Sequence, residues 1–196
     1  MKETKEKKYC KAIILLVIFL FTSDVYCELI NFKNDYYWID AGISSYNSDN
    51  SNGAAWVIGL NRLNNHLYYK LRNINYSEYI LFDPKPAEHF NETSFLLGKA
   101  LTLKNYRFKF SGGLGVIVGK KRGELIYTEY NPGWFSINDK TYYETSTFVA
   151  PCIPLSLDIQ YFQLKYVGLE LSLHGNLNWQ RPLFGLNCNL VFGKLK

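Results

Sequence analysis

The chain has 196 residues, of which 20% are charged and 17% aromatic, and a formal net charge of +5. That charge is mild, and no Lys/Arg stripe marks a nucleic-acid-binding surface. Three scattered histidines, without paired cysteines, argue against a metal site, and no segment points to a cofactor.

The N-terminus comes first. Lys2, Lys5, Lys7, Lys8 and Lys11 form a basic region, followed by an apolar run from Ala12 to Phe21. The run is far short of the ~20 residues of a transmembrane helix and suits the core of a secretory signal. Val25 and Cys27 are small enough for the −3 and −1 positions of a cleavage site, so cleavage is placed after Cys27. An uncleaved anchor is the alternative; Val25-Tyr26 makes a poor lipobox for lipidation of Cys27. The organisation is therefore residues 1–27 as a signal peptide and 28–196 as one domain.

No helical periodicity of useful length follows. Eight strands are expected instead: Tyr36–Ser45, Gly53–Arg62, Asn65–Asn75, Thr93–Leu103, Tyr106–Gly119, Pro151–Phe162, Tyr166–Asn178 and Leu183–Leu195. Their connections alternate in length. Tyr46–Asn52, Tyr76–Glu92 and Lys120–Ala150 read as long loops; Leu63-Asn64, Lys104-Asn105 and Gln163–Lys165 read as tight turns; Trp179–Pro182 is intermediate. Short turns at one end and long loops at the other are the pattern of an outer-membrane barrel.

The seventh strand decides the polarity of the faces. Val167, Leu169, Leu171 and Leu173 alternate with Gly168, Glu170, Ser172, His174 and Asn176. A period of two fits a strand. A small membrane barrel would turn the aliphatic face to lipid and the polar face to the lumen. Other strands repeat the division, with Tyr37-Ile39-Ala41-Ile43, Trp56-Ile58-Leu60 and Leu155-Leu157-Ile159-Tyr161 on outer faces. The inner faces carry Asp40, Lys70, Arg72, Arg107, Lys109, Asp158 and Glu170, four bases and three acids open to mutual neutralisation. A soluble lipocalin-like carrier also has eight up-and-down strands, but its interior would be apolar. The expectation is an all-β, eight-stranded antiparallel transmembrane barrel, monomeric, too narrow for a wide pore.

Aromatic residues fall towards both ends of the strands. Tyr37, Tyr69, Tyr106, Tyr161, Tyr166 and Phe192 are expected at the periplasmic rim, and Trp56, Phe95, Phe148, Trp179 and Phe184 at the outer rim, where amphipathic rings gather. Cys152 shares phase with Ser156 and Asp158, whereas Cys188 shares phase with Leu186 and Leu190. Thiols on opposite faces cannot meet disulfide geometry, so both are expected free.

Several motifs carry a resemblance. Gly119-Lys120-Lys121-Arg122-Gly123-Glu124-Leu125, Tyr142-Tyr143-Glu144, Ile153-Pro154-Leu155, Val167-Gly168-Leu169, Gly175-Asn176-Leu177-Asn178 and Gly193-Lys194-Leu195 stand in the second half. Together, over about residues 92–196, they resemble small outer-membrane-barrel-like proteins of Bacteroidota. The resemblance implies a Gram-negative outer membrane and brings no activity with it. The general form is similar to barrels of the OmpA and OmpX type. Those usually end on an aromatic residue, where this chain reads Phe192-Gly193-Lys194-Leu195-Lys196.

Candidate chemistry is sparse. Glu170, Ser172 and His174 offer the ingredients of a lipid- or lipopolysaccharide-modifying hydrolase, but same-face neighbours on one strand stand ~7 Å apart. Direct Ser–His proton transfer needs ~3 Å. A lumen hydrogen-bond network joining these three residues to the inner charges is the preferred reading, with no catalysis. Ser111-Gly112-Gly113-Leu114-Gly115 lacks the Lys-Ser/Thr of a phosphate loop and reads as small residues making room in a narrow barrel. Lys120, Lys121 and Arg122 stand where the fifth strand leaves the outer leaflet. They are either a contact for lipopolysaccharide phosphates or a solvated loop base. Tyr127, Tyr130, Trp134, Phe135, Tyr142 and Tyr143 crowd the loop that follows, read as a strand extension turning at Asn131-Pro132-Gly133. The functional expectation is a structural or surface-interaction role through extracellular loops, with outer-membrane lipid as partner and the extracellular partner unnamed.

Overall fold

The computed structural model describes residues 35–48, 51–79, 86–129 and 140–196, with the side chains of Glu129 and Lys140 left out. The expected signal peptide and the turn at Asn131-Pro132-Gly133, with Tyr130, Trp134 and Phe135, lie outside the described residues. Eight strands run in order: β1 (Tyr36–Ser48), β2 (Ser51–Asn64), β3 (Leu67–Glu78), β4 (His89–Leu103), β5 (Tyr106–Glu129), β6 (Lys140–Tyr161), β7 (Val167–Leu177) and β8 (Leu183–Lys194). Each pairs antiparallel with its sequence neighbours, and β1 closes on β8 through pairs such as Asp40↔Val191 and Gly42↔Asn189. The result is an up-and-down barrel without a free sheet edge along its wall.

The alternation of side chains sorts the barrel into two surfaces. Outward stand Ile39, Ile43, Ile58, Leu60, Leu71, Leu157, Leu171 and Leu173, with Trp56 73% and Leu114 74% exposed. An apolar surface on this scale greatly exceeds the few hundred Å² that a water-soluble monomer carries. Inward stand Asp40, Lys70, Arg72, Glu92, Lys109, Asp158 and Glu170, all buried.

Strand ends differ from the expected ones at the upper, long-loop end. Pairing of β1 with β2 runs to Ser48↔Ser51, so the expected loop Tyr46–Asn52 is mostly strand. Inward Tyr46 holds it there, packing edge-on against Tyr76 with ring centroids 5.0 Å apart. The expected loop Tyr76–Glu92 is also shorter, because β3 continues to Glu78 and β4 begins at His89. The largest change is in Lys120–Ala150: β5 and β6 continue as a two-stranded ribbon, with register shifts between Arg122 and Leu125 and between Leu125 and Tyr127. Tyr127 and Tyr142 stack across it at 4.3 Å. β6 begins its pairing with β7 only at Ile153↔Leu177, which leaves Pro151 where no ladder bond to β7 is needed.

The lower turns are tight, and the first lies at Asn65-His66 instead of the expected Leu63-Asn64, because β2 stays paired with β3 to Asn64↔Leu67. Asn65 and Lys104 adopt left-handed φ of 51°, the conformation of two-residue hairpins. One aromatic placement is corrected: Phe148 turns into the barrel against Phe90, centroids 5.8 Å apart, instead of joining the outer rim. It shares phase with Ala150 and Cys152, both buried. Cys152 is buried and Cys188 exposed, and neither is in a disulfide.

Candidate functional site

The lumen is stacked in layers. Lowest is an aromatic plug of Trp38, Leu63, Tyr68, Ala100, Phe162, Val191 and Leu195. Trp38 and Tyr68 stack at 5.9 Å. Arg107 lies among these rings, its guanidinium carbon 4.9 Å from the centroids of both Trp38 and Phe162. It donates to Gln160 Oε1 at 3.2 Å and to the Leu195 carbonyl at 2.9 Å. Cation–π contact and neutral acceptors therefore surround this charge.

Above the plug is an ionic layer drawn from five strands. Lys70 Nζ lies 2.7 Å from Asp40 Oδ2 and 3.3 Å from Glu170 Oε1. Lys109 pairs with Glu170 and lies 3.6 Å from Asp158 Oδ2. Ser156 and Ser172 both donate to Asp158 Oδ1 at 2.5 Å. Asn61 donates to Asp40 at 2.8 Å and accepts from the Tyr68 hydroxyl at 2.5 Å. Gly59 permits the approach of Asp40 to Lys70, since a Cβ there would lie 2.5 Å from Asp40 Oδ1 and 2.8 Å from Lys70 Cε.

A second buried pair lies higher. Arg72 Nη2 donates to Glu92 Oε1 at 2.8 Å, and Ser94 donates to the same oxygen at 2.9 Å. Tyr76 and Asn176 donate to Glu92 Oε2 at 3.2 and 2.5 Å. Glu92 falls outside the expected fourth strand, which starts at Thr93, whereas β4 begins four residues earlier at His89. It adds a carboxylate to the three expected on the inner faces and pairs with Arg72. Its phase with polar Ser94 and small Gly98 was the available signal. His174 Nε2 lies 3.3 Å from the Tyr76 hydroxyl. The ring occupies space left by Gly185, whose Cβ would come within 2.2 Å of His174 Cε1.

The arrangement bears on hydrolysis. The Ser172 hydroxyl is committed to Asp158 and 3.0 Å from Ser156 Oγ, while His174 faces Tyr76. The Ser172 hydroxyl thus donates its proton to a carboxylate beside a cation, and the imidazole faces elsewhere.

Above these layers a second apolar cluster closes the lumen, formed by Tyr46, Val57, Ile74, Tyr76, Phe90, Ile117, Phe148 and Leu183 among others. Charged groups then tie the mouth. Arg181 pairs with Glu88 and donates to Ser51 Oγ at 3.2 Å. Arg122 contacts both Glu78 oxygens, at 3.1 and 3.2 Å, and its backbone N–H donates to Glu88 at 2.9 Å.

The trio Lys120, Lys121 and Arg122 is divided. Arg122 is held by Glu78, with its guanidinium carbon 5.5 Å from the Tyr143 ring centroid. Lys121 donates to Gln180 Oε1 at 2.9 Å. Lys120 stands exposed on the outer wall in a row with His89 and Thr147, paired through His89↔Lys120 and Lys120↔Thr147. The next outward rows down are Asn91–Val118–Val149 and Thr93–Val116–Pro151. A shallow groove lined by His89, Val118, Lys120, Thr147 and Val149 lies at the top of this column.

Among solved structures, the chain is similar to Neisserial surface protein A, with a TM-score of 0.56 at 11% identity over 81% of this chain and 96% of that one. It is similar to the N-terminal β-barrel domain of Pseudomonas aeruginosa OprF, with a TM-score of 0.52 at 14% identity over 81% and 96%. A third is Ail, the attachment invasion locus protein of Yersinia pestis, with a TM-score of 0.50 at 10% identity over 82% and 97%. No protein-family model and no curated sequence matches the chain. The shared property is the fold of eight-stranded outer-membrane β-barrels.

Proposed function

We propose that this chain is an outer-membrane β-barrel protein, made with a signal peptide at residues 1–27, whose task is structural or one of surface interaction without catalysis. The observation that carries the reading is the inversion of faces: a broad apolar exterior around a lumen of paired charges sealed by two apolar clusters. Such a lumen supports neither a lipocalin-like cavity nor a wide pore. The names of two similar barrels, a surface protein and an attachment and invasion protein, support a role facing outward. The resemblance of residues 92–196 to barrel-like proteins of Bacteroidota supports a source in that group. The commitment of Ser172 to Asp158 favours the buried network over a hydrolase.

Interaction belongs to the upper end, where the β5–β6 ribbon leaves the wall. Its exposed Leu125, Ile126, Tyr127 and Tyr142 offer the apolar and aromatic anchors that interfaces use. Lys120, at the head of the groove above Val118 and Val149, is the residue proposed to meet a lipopolysaccharide phosphate, with acyl chains lying down the apolar column. The protein acts as a monomer.

The test is detergent-dependent folding. The full-length protein should give a heat-modifiable band on a denaturing gel only after refolding in detergent or lipid. A folded, monodisperse protein in plain buffer would overturn the membrane reading. For the finer claim, Lys120→Gln should lower lipopolysaccharide retention without changing the heat-modifiable band; unchanged retention removes Lys120 from the contact.

A further inference from the structure

The outer wall is not apolar to one height. On β3 the outward side chains are Leu67, Tyr69 and Leu71, then Asn73, Asn75 and Ser77. On β4, above outward Phe95, they are Thr93, Asn91 and His89. The strands pair these six as Asn73↔Thr93, Asn75↔Asn91 and Ser77↔His89, a polar patch two strands wide. β5 differs. Phe95 pairs with Leu114, and the apolar face of β5 continues above it through Val116 and Val118 before reaching Lys120. β6 matches β5, with Pro151 beside Val116 and Val149 beside Val118. The line between polar and apolar wall therefore falls between β4 and β5.

The patch has the marks of a wall that meets water. Asn73 Nδ2 donates to Asn91 Oδ1 at 3.0 Å and to Thr93 Oγ1 at 2.9 Å, which meets part of its bonding capacity. Asn75, Ser77, His89 and Thr93 are nevertheless exposed. Hydrocarbon offers an exposed amide no bonding partner, so acyl chains are unfavourable neighbours for it. Aromatic residues mark the lower border. Trp56, 73% exposed, pairs with Asn75 from β2, and Phe95 stands one outward position below Thr93. Such rings gather where hydrocarbon gives way to headgroups. Tilting the whole cylinder would not create the difference, because the lower rim is level: Tyr69, Tyr106 and Tyr161 all stand close above their turns.

We infer that the outer boundary of the hydrocarbon layer is stepped around this barrel, lower against β3 and β4 than against β5 and β6, with water and headgroups descending to Asn73. The two extra outward positions on β5, at ~3.3 Å per residue and a tilt of ~40°, make the step about 10 Å high. Local thinning of this kind is how a bilayer accommodates polar groups on a spanning wall. The wall is thus fitted to a thinned outer leaflet on one side, with its tall side below Lys120. The inference rests on the membrane reading above.

The test uses the full-length protein, its native cysteines replaced by Ser, refolded into phosphatidylcholine vesicles. A nitroxide is attached through Asn75→Cys or Leu114→Cys, two positions equally far above their turns. Its collisions are measured with oxygen, which concentrates in hydrocarbon, and with a nickel chelate, which stays in water on both sides. A level boundary gives both labels the same preference. The step reverses it: the label at 75 should favour the chelate and the label at 114 oxygen. Replacing Asn73 and Asn91 by Leu and Thr93 by Val should turn the label at 75 to oxygen and leave that at 114 unchanged. Oxygen preference at both positions of the unsubstituted wall overturns the step. So does a label at 75 that meets neither reagent, the mark of a protein neighbour covering the patch. Labels through Tyr69→Cys and Tyr161→Cys should agree; a difference between them shows a tilted cylinder and overturns the step too. Should the apolar variant lose its heat-modifiable band, the comparison of 75 with 114 decides alone. Failure to insert overturns the membrane reading as well, whereas insertion with a level boundary overturns the step only.

Discussion

Replacing Glu92 with Gln is the sharpest probe of the lumen. Arg72 and Glu92 both have fully buried side chains, joined at 2.8 Å. Removing one partner of such a pair leaves an uncompensated charge and costs about 3–5 kcal/mol. The hydrogen-bond pattern blocks an easy escape. A Gln at 92 can keep its oxygen towards Arg72 and Ser94, but its NH₂ then meets the Asn176 amide that donates to Glu92 Oε2. Asn176 cannot turn freely, because its Oδ1 accepts from Asn178 at 2.9 Å. Destabilisation should therefore lie at the upper end of the range, a loss of more than a hundredfold in the folding constant. The assay is a reversible urea titration of the protein in lipid vesicles, followed by tryptophan fluorescence and by the heat-modifiable band. Arg72→Met combined with Glu92→Leu should recover most of the loss, since an apolar pair of similar volume is often neutral. E92Q within about 1 kcal/mol of the unmodified protein, or a double variant as unstable as the two single losses added, would refute the reasoning.

Three further outcomes are expected. Leu171→Arg, on the outer face at mid-strand, should cost about 2–4 kcal/mol in lipid vesicles, measured by the same titration; a neutral result would place Leu171 away from the bilayer. Gly185→Ala should force His174 from its place and cost about 1–3 kcal/mol by overpacking, and an unshifted His174 imidazole resonance in the folded barrel would contradict it. With Cys10 and Cys27 changed to Ser, Cys188 should react with a membrane-permeant maleimide and Cys152 should not until urea opens the barrel; rapid labelling of Cys152 would show that its burial is misassigned.

Much of this barrel was legible because its walls obey one rule. The alternation of Leu169, Leu171 and Leu173 with Glu170, Ser172 and His174 carries enough contrast to fix both period and polarity. Strand ends carried less, since a lumen lined by Ser, Asn and Gly has the composition of a loop. Tyr46–Asn52 read as a connection for that reason, although Tyr46 and Ser48 face inward. Height along the strand points Phe148 to the outer rim, but its phase with Cys152 points it inward. Glu92 falls outside the expected strand because that strand starts at Thr93 and β4 at His89. Which acid meets which base was beyond the sequence, because Lys70 and Glu170 meet through barrel closure and not through local spacing.

That closure has a mechanical consequence. Lys70 belongs to β3 and Glu170 to β7, four strands apart and so on opposite walls. Asn176 of β7 likewise reaches Glu92 of β4. These contacts act as tie rods across the bore: flattening the cross-section into an ellipse would stretch one set and crush another. Under a change of bilayer thickness or lateral pressure, a cylinder braced in this way keeps its shape. The surrounding lipid must then absorb the mismatch.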